Sequence, residues 1–290
     1  MNQTIEDALR RALDEAPRGR VAFPRDFQGF PGTVHGGAVA ALFYRTTTPR
    51  PPVHLRMDLP HGVPTDTPLG LTTGSSGPLA RLTLTRDDRR LAEATLTREE
   101  VPVVDPLPVV AAWRANGPAQ GEVPGTATCL ACGSANPIGL GMRFRFNERL
   151  VWREHDPRET YRAADGGLHP AAVTVALDEL GWWLGALTQG ECGVTTEVEV
   201  TVHRPLPFAA LVLVGDRAAV TRDDDPRGRY SRAVGHVLSA DGTLLATGRV
   251  RFAGSRAYTR RLLQPFLETT DAATLFRAFP SAEGLSGRGR

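Results

Sequence analysis

The sequence predicts an α+β protein built from two similar units, each a helix followed by a run of antiparallel strands. Three observations lead there. The chain has 290 residues, long for one core and comfortable for two domains of about 100–150 residues. A glycine-rich turn bearing a histidine occurs twice, as Phe30-Pro31-Gly32-Thr33-Val34-His35-Gly36-Gly37 and as Asp165-Gly166-Gly167-Leu168-His169-Pro170. Each turn runs into an apolar helical stretch and then into alternating strands, an order that fits α+β rather than βαβ.

Taken in order, Ile5, Leu9 and Leu13 share one stripe, so residues 5–16 predict a short amphipathic helix. That segment is charged throughout and lacks the apolar stretch of a signal peptide. A strand is expected at 20–23. The helix at 38–45 is apolar nearly all round, which suits a buried central helix. Val53, Leu55, Met57 and Leu59 alternate as a strand, and Leu82, Leu84 and residues 91–96 form a hairpin around Asp87-Asp88. The stretch 102–124 is rich in Pro, Val and Ala with few strand signals, so a boundary is expected there. This divides the chain into domains 1–110 and 120–256 with a tail at 257–290.

The second unit reads more clearly. A strand is expected at 142–151. Val173, Leu177, Leu180, Leu184 and Leu187 are spaced three and four apart, giving a helix over 171–187. Pro170 is tolerated in its first turn, where the missing N–H has no helical partner. Val198, Val200 and Val202 alternate with Glu197, Glu199 and Thr201; Pro205 and Pro207 stop that strand, and Leu211 and Leu213 begin the next. Strands at 230–238 and 244–252 flank Asp241-Gly242, a type I′ hairpin signal. Leu262, Leu263, Phe266 and Leu267 predict a helix packed on the outside, and residues 284–290 a frayed end.

Composition narrows the function classes. Hydrophobic residues make up 41% and charged residues 23%, and the net charge is only +2; neither nucleic acid nor an anionic membrane is expected as partner. No run approaches the ~18 apolar residues of a membrane span. The sequence has no lysine, so all 34 of its Lys and Arg residues are Arg. Schiff-base chemistry and lysine phosphate loops are therefore excluded. Any phosphate contact comes from guanidinium or backbone N–H groups, with Arg143, Arg145, Arg227, Arg229 and Arg232 as candidates. Cys129, Cys132 and Cys192 cannot all pair, which reads as a reduced, cytoplasmic protein. Cys129 and Cys132 have zinc-like spacing, but a structural zinc site wants four ligands; His155 is the nearest later candidate, no second cysteine pair exists, and no metal is expected.

The stretch Thr33-Val34-His35-Gly36-Gly37-Ala38-Val39-Ala40-Ala41-Leu42 resembles the histidine-glycine-glycine signature of hotdog-fold acyl-CoA thioesterases of the phenylacetyl-CoA thioesterase type. Cys129-Leu130-Ala131-Cys132-Gly133-Ser134-Ala135-Asn136-Pro137-Ile138-Gly139-Leu140 resembles the opening of many such domains, and the second half follows their layout through Asp178-Glu179 and Glu197 to Pro205. The resemblance covers most of the chain. It implies a tandem (double) hotdog, each domain a curved antiparallel sheet wrapped around a central helix. It further implies an acyl-CoA or acyl-carrier-protein substrate bound at the domain interface, no cofactor beyond the coenzyme A of the substrate, and association into a homo-oligomer.

Thioester hydrolysis needs donors aimed at the oxygen that becomes negative and a carboxylate that activates water or attacks directly. In the resembled family the donors are backbone N–H groups at the central helix start, and the acid stands nine residues after the histidine of the partner domain. Asp178 stands nine residues after His169, whereas Tyr44 stands nine after His35. Gly36 and Gly37 are intact in the first unit, whereas Pro170, with no N–H, follows His169 in the second. The losses are complementary: Gly36 and Gly37 with Asp178 make one complete site, and Pro170 with Tyr44 makes one dead site. The expected catalytic residues are Asp178, His35, Gly36 and Gly37, with Glu179, Trp182, Tyr44 and His169 binding substrate; Trp182 and Trp183 line the core or the acyl pocket. Some relatives carry Asn or Gln before the histidine, where this chain has Gly29, with Gln28 one position off. The expected function is acyl-thioester hydrolysis. The alternatives are a 3-hydroxyacyl-thioester dehydratase or hydratase, since Phe30-Pro31-Gly32 resembles a dehydratase triplet but with Gly29 where a histidine belongs, and a non-catalytic acyl-CoA-binding protein.

Overall fold

The computed structural model describes residues 3–15, 19–47, 49–98 and 105–283. The frayed end expected at 284–290 and residues 102–104 of the boundary stretch lie outside them. In chain order the elements are α1 (Ile5–Asp14), β1 (Arg20–Val21), α2 (Gly36–Thr47), β2 (Val53–Asp58), β3 (Leu69–Ser76), β4 (Leu79–Arg86), β5 (Arg89–Thr97), α3 (Leu107–Arg114), β6 (Gly121–Glu122), β7 (Arg145–Phe146), β8 (Leu150–His155), α4 (Pro170–Gln189), β9 (Gly193–Val202), β10 (Leu211–Asp216), β11 (Thr221–Arg222), β12 (Tyr230–Ser239), β13 (Leu244–Gly254), α5 (Arg256–Leu267) and α6 (Ala272–Ala278). No helix among the described residues is long and apolar enough to cross a membrane.

The strands form one continuous antiparallel sheet in the order β1-β3-β4-β5-β2-β9-β13-β12-β10-β8-β7-β6, with β11 on β12. The two units meet at β2 and β9, paired from Val53↔Val202 to Asp58↔Glu197. Alternation sets which face is apolar. Val53, Leu55 and Met57 of β2 and Val198, Val200 and Val202 of β9 are buried beneath the helices. Arg56, Glu199 and Arg249 face the other way; ion pairs cross the seam from Arg56 to Glu197 (3.2 Å) and to Glu199 (3.8 Å), and Glu199 also pairs with Arg249 of β13 (3.4 Å). Such half-exposed pairs fix register more than they add stability.

Both central helices pack on the inner face and touch each other. α4 settles on the sheet through glycines: a Cβ on Gly181 would lie 2.4 Å from the Val250 side chain, and one on Gly185 would lie 2.6 Å from the Phe252 ring. His169 caps α4 by accepting from the Ala171 N–H at 3.1 Å. α1 is capped by Thr4 and buries Ile5, Ala8, Leu9 and Ala12 as its stripe requires.

The turns divide along the chemistry of their residues. Asp87 and Asp88 both have positive φ (48° and 61°), so β4 and β5 join through a two-residue type I′ turn. The Asp241-Gly242 turn differs from expectation. Only Gly242 is left-handed (φ 91°), and its N–H donates to the Ser239 carbonyl at 2.9 Å. The loop is thus a three-residue type I turn with a glycine bulge, and the register slips between Val237 and Leu238. The Asp241 carboxylate accepts from the Thr243 N–H at 3.0 Å, closing the turn in this form.

Other elements depart from the sequence reading. The strand expected at 142–151 is centred later, at β8, because the Asn147 side chain accepts from the Arg149 and Leu150 N–H groups and makes a turn there. β3 was not expected; beyond Leu69 its side chains are largely exposed and show no alternation. The boundary stretch carries α3, which lays Val109, Val110 and Ala112 on an outer patch of Trp152, Val212, Val214 and Leu238. The helix expected on the outside, α5, buries Leu262, Leu263 and Phe266 against the core and exposes Arg256, Arg260 and Gln264. Phe266 packs edge-on against Phe30 (5.7 Å between ring centroids) and against Trp183 (5.9 Å), so large aromatic surfaces draw it inward.

Replacing Gly181 with alanine drives a methyl into Val250. A loss of about 1–3 kcal/mol is expected, seen as a lower urea midpoint with an unchanged m-value.

Candidate active site

The site begins with the turn before α2. Gln28 and Val34 pair across it, the Gly29 N–H donates to the Thr33 carbonyl (2.9 Å), and Gly32 supplies the positive φ of 75°. The Gln28 carboxamide accepts from the Gly32 N–H at 3.2 Å. It therefore braces the turn. α2 then starts in direct contact with α4. A Cβ on Gly37 would lie 2.5 Å from the Thr174 carbonyl oxygen and from the Val175 Cα, so only glycine fits. The Thr174 hydroxyl donates back to the Gly37 carbonyl at 2.9 Å.

This crossing brings together groups from the two units. Asp178, 3% exposed, accepts at Oδ2 from the Gly37 N–H (2.7 Å) and at Oδ1 from the Thr195 hydroxyl (2.7 Å). His35 sits between two carboxyl groups: Nδ1 is 3.0 Å from Asp178 Oδ2, and Nε2 is 3.2 Å from Glu179 Oε2. Glu179 Oε1 accepts from the Trp183 indole at 2.9 Å. Burial disfavours a charged His35, but the Asp178 charge and the hydrogen bonds to both carboxyl groups outweigh it and hold the imidazole well above its ordinary pKa. A hydrogen bond from the Cys132 thiol lowers the Cys129 pKa, with His35 acting in the same direction; the same hydrogen bond, together with burial, pushes Cys132 well up.

The Ala38 and Val39 N–H groups turn back to the His35 carbonyl (2.9 and 3.3 Å). The Gly37 N–H is taken by Asp178. That leaves Gly36, among the described residues, as the first-turn N–H without a partner. Both glycines were expected to donate to substrate; here the Gly37 N–H donates to Asp178.

These groups form the floor of a cavity of about 560 Å³. Phe30, Trp182, Tyr258, Leu262 and Phe266 make apolar walls, and Arg229 and Arg261 also line it. The Trp182 indole donates to the Gly193 carbonyl at 3.0 Å, which fixes its ring. Of the expected residues, His35, Gly36, Asp178, Glu179 and Trp182 line the cavity, and Gly37 lies directly behind Asp178.

Tyr44 and His169, expected to bind substrate, do not line it. Tyr44 is buried along α2, and burial pushes its phenol up. His169 sits at the start of α4 with Nε2 3.1 Å from Glu6, which is itself paired with Arg45 at 2.9 Å. Arg232 is also engaged elsewhere, with Asp223 at 2.9 Å on the outer face. Sequence reasoning missed Cys129, Cys132, Thr195 and the α5 side chains. Trp183 was legible, since it lies one helical turn beyond Glu179. Nothing in the sequence marked Thr195 or α5 as neighbours of Asp178.

The fold is the hotdog fold, in fused double form. No family model matches the chain, and no curated protein matches it in sequence. Solved structures do match. A conserved protein of unknown function with hotdog fold from Alicyclobacillus acidocaldarius superposes with a TM-score of 0.57 at 15% identity, covering 86% of this chain and 98% of that one. A candidate thioesterase II from Thermobifida fusca gives 0.54 at 15% identity, covering 88% and 99%. The dehydratase domain of the CurJ module of curacin polyketide synthase gives 0.54 at 12% identity, covering 81% and 91%.

Trp183→Phe removes the donor to Glu179 Oε1 and leaves a buried carboxyl oxygen unsatisfied. A loss of at least about 1–3 kcal/mol is expected in equilibrium urea unfolding.

Proposed function

We propose that this protein hydrolyses acyl thioesters of coenzyme A or an acyl carrier protein, at one composite site between units spanning 1–110 and 120–256. The observation that carries the reading is Asp178 of the second unit's helix held 2.7 Å from the Gly37 N–H of the first unit's helix, on the floor of an apolar-walled cavity. In this reading the acyl group lies against Trp182 and Phe266, with the carbonyl oxygen facing the Gly36 N–H at the positive end of α2. Asp178 Oδ1 and Oδ2 are fixed by Thr195 and Gly37, so the carboxylate is oriented before substrate arrives. It takes a proton from water as that water attacks the thioester carbon; the C–S bond then breaks, the sulfur takes that proton back from Asp178 and leaves as the thiol, and the carboxylate is restored. His35 positions Asp178 and the glycine turn. The three cysteines are free thiols, which suits the cytoplasmic setting that belongs to this proposal.

One observation favours a second reading, dehydration of 3-hydroxyacyl thioesters. His35 and Asp178 lie 3.0 Å apart in one cavity, a base and an acid of the kind that removal of an α-proton and departure of a hydroxyl require. Against it, these two groups already face each other rather than two ends of a substrate.

Asp178→Asn is expected to keep the circular-dichroism spectrum and to lower thiol release from a good acyl-CoA by about 10²–10⁴-fold. Turnover retained in that variant removes Asp178 from the mechanism. Enoyl-thioester hydration by the unaltered protein, followed by loss of ultraviolet absorbance, without thiol release would establish the second reading instead.

A further inference from the structure

The cavity floor holds more ligating chemistry than thioester hydrolysis uses. Cys129 has no part in that reading, yet its sulfur, a His35 nitrogen and a Glu179 oxygen all lie within 4.8 Å of one another, and all three residues are buried. They come from three separate stretches of chain: the turn before α2, the loop between β6 and β7, and α4. The geometry points to a zinc site formed by His35 Nε2, Cys129 Sγ and Glu179 Oε2, with a fourth position open to the cavity.

Four features support it. Zinc takes nitrogen, sulfur and oxygen donors together, and sites with three protein ligands leave one position free for water or substrate. At tetrahedral angles and Zn–N and Zn–O bonds of ~2.1 Å, the two donor atoms stand ~3.4 Å apart; His35 Nε2 and Glu179 Oε2 are separated by 3.2 Å. The outer shell is also in place. His35 presents its other nitrogen to Asp178 at 3.0 Å, the carboxylate–histidine arrangement that orients a metal ligand, and Trp183 holds the far Glu179 oxygen at 2.9 Å. Finally, two buried carboxyl groups and a thiol share one imidazole, and a divalent cation offsets the negative charge that this concentrates away from water.

Cys132, whose free thiol hydrogen-bonds with Cys129, stands beside the ligand set and is not one of the three. Zinc entry displaces the Cys129 proton and the proton shared by His35 and Glu179, both released to solvent. The inference does not rest on the hydrolase reading.

The test is a cobalt(II) titration of the reduced full-length protein, followed by zinc competition. A near-ultraviolet thiolate-to-cobalt band that saturates at one equivalent per chain and is displaced by zinc is expected. Cys129→Ser should abolish the band, and Glu179→Gln should weaken zinc by more than the about 10–100-fold cost of disturbing an outer-shell partner. Cys132→Ser should keep both band and stoichiometry. No band in the unaltered protein overturns the site. So does a band lost in Cys132→Ser but untouched by Glu179→Gln, which would place the ion on the cysteine pair alone. The unaltered protein's spectrum decides the matter even where a variant fails to fold. Loss of thiol release in Asp178→Asn is read separately, so failure of either idea leaves the other standing.

Discussion

The contact on which the rest depends is the hydrogen bond from the Gly37 N–H to Asp178, made where α2 and α4 cross. A buried carboxylate is costly unless donors replace the water it gives up. Here a backbone N–H and the Thr195 hydroxyl do so, one on each oxygen. The bond forms only because position 37 lacks a Cβ: any side chain would meet the α4 backbone at 2.5 Å. Close helix crossing, carboxylate orientation and the lone Gly36 donor are consequences of one missing methyl group.

The other end of the helix pair shows what happens without that arrangement. His169 repeats the local placement of His35: its Nδ1 stands 3.1 Å from the amide nitrogen two residues on, against 3.2 Å for His35, although at His35 that N–H goes to Asp178. Proline follows His169, however, and tyrosine replaces the acid. α1 covers this end and supplies Glu6 to His169, held in turn by Arg45. One fold thus carries a glycine-opened cavity at one end and an ion-paired closure at the other. The difference lies in a few side chains rather than in the backbone plan.

Much of this was legible beforehand. Period-two alternation at Val53, Leu55 and Met57 and at Val198, Val200 and Val202 marked the two strands that join the units, because a half-buried sheet imposes that pattern. The apolar spacing from Val173 to Leu187 marked α4. The complementary losses at Tyr44 and Pro170 pointed to one composite site, and His35, Gly36 and Asp178 do meet. The unread parts have physical reasons. β3 has little buried surface to impose a pattern. α5 is amphipathic like any surface helix, and only the aromatic cluster of Phe30, Trp182 and Trp183 draws it inward. Cys129 was set aside for want of ligands in sequence order; the ones it meets, His35 and Glu179, are brought to it by tertiary structure alone.

The central claim, one substrate site per chain at the glycine end of α2, is tested most directly by calorimetric titration with a non-hydrolysable acyl-CoA thioether. Binding of one molecule per chain, abolished by Gly36→Leu, whose side chain would meet Asp178 Oδ2 within 2.8 Å, is the predicted result. Two molecules per chain, or one that still binds after that substitution, would contradict it.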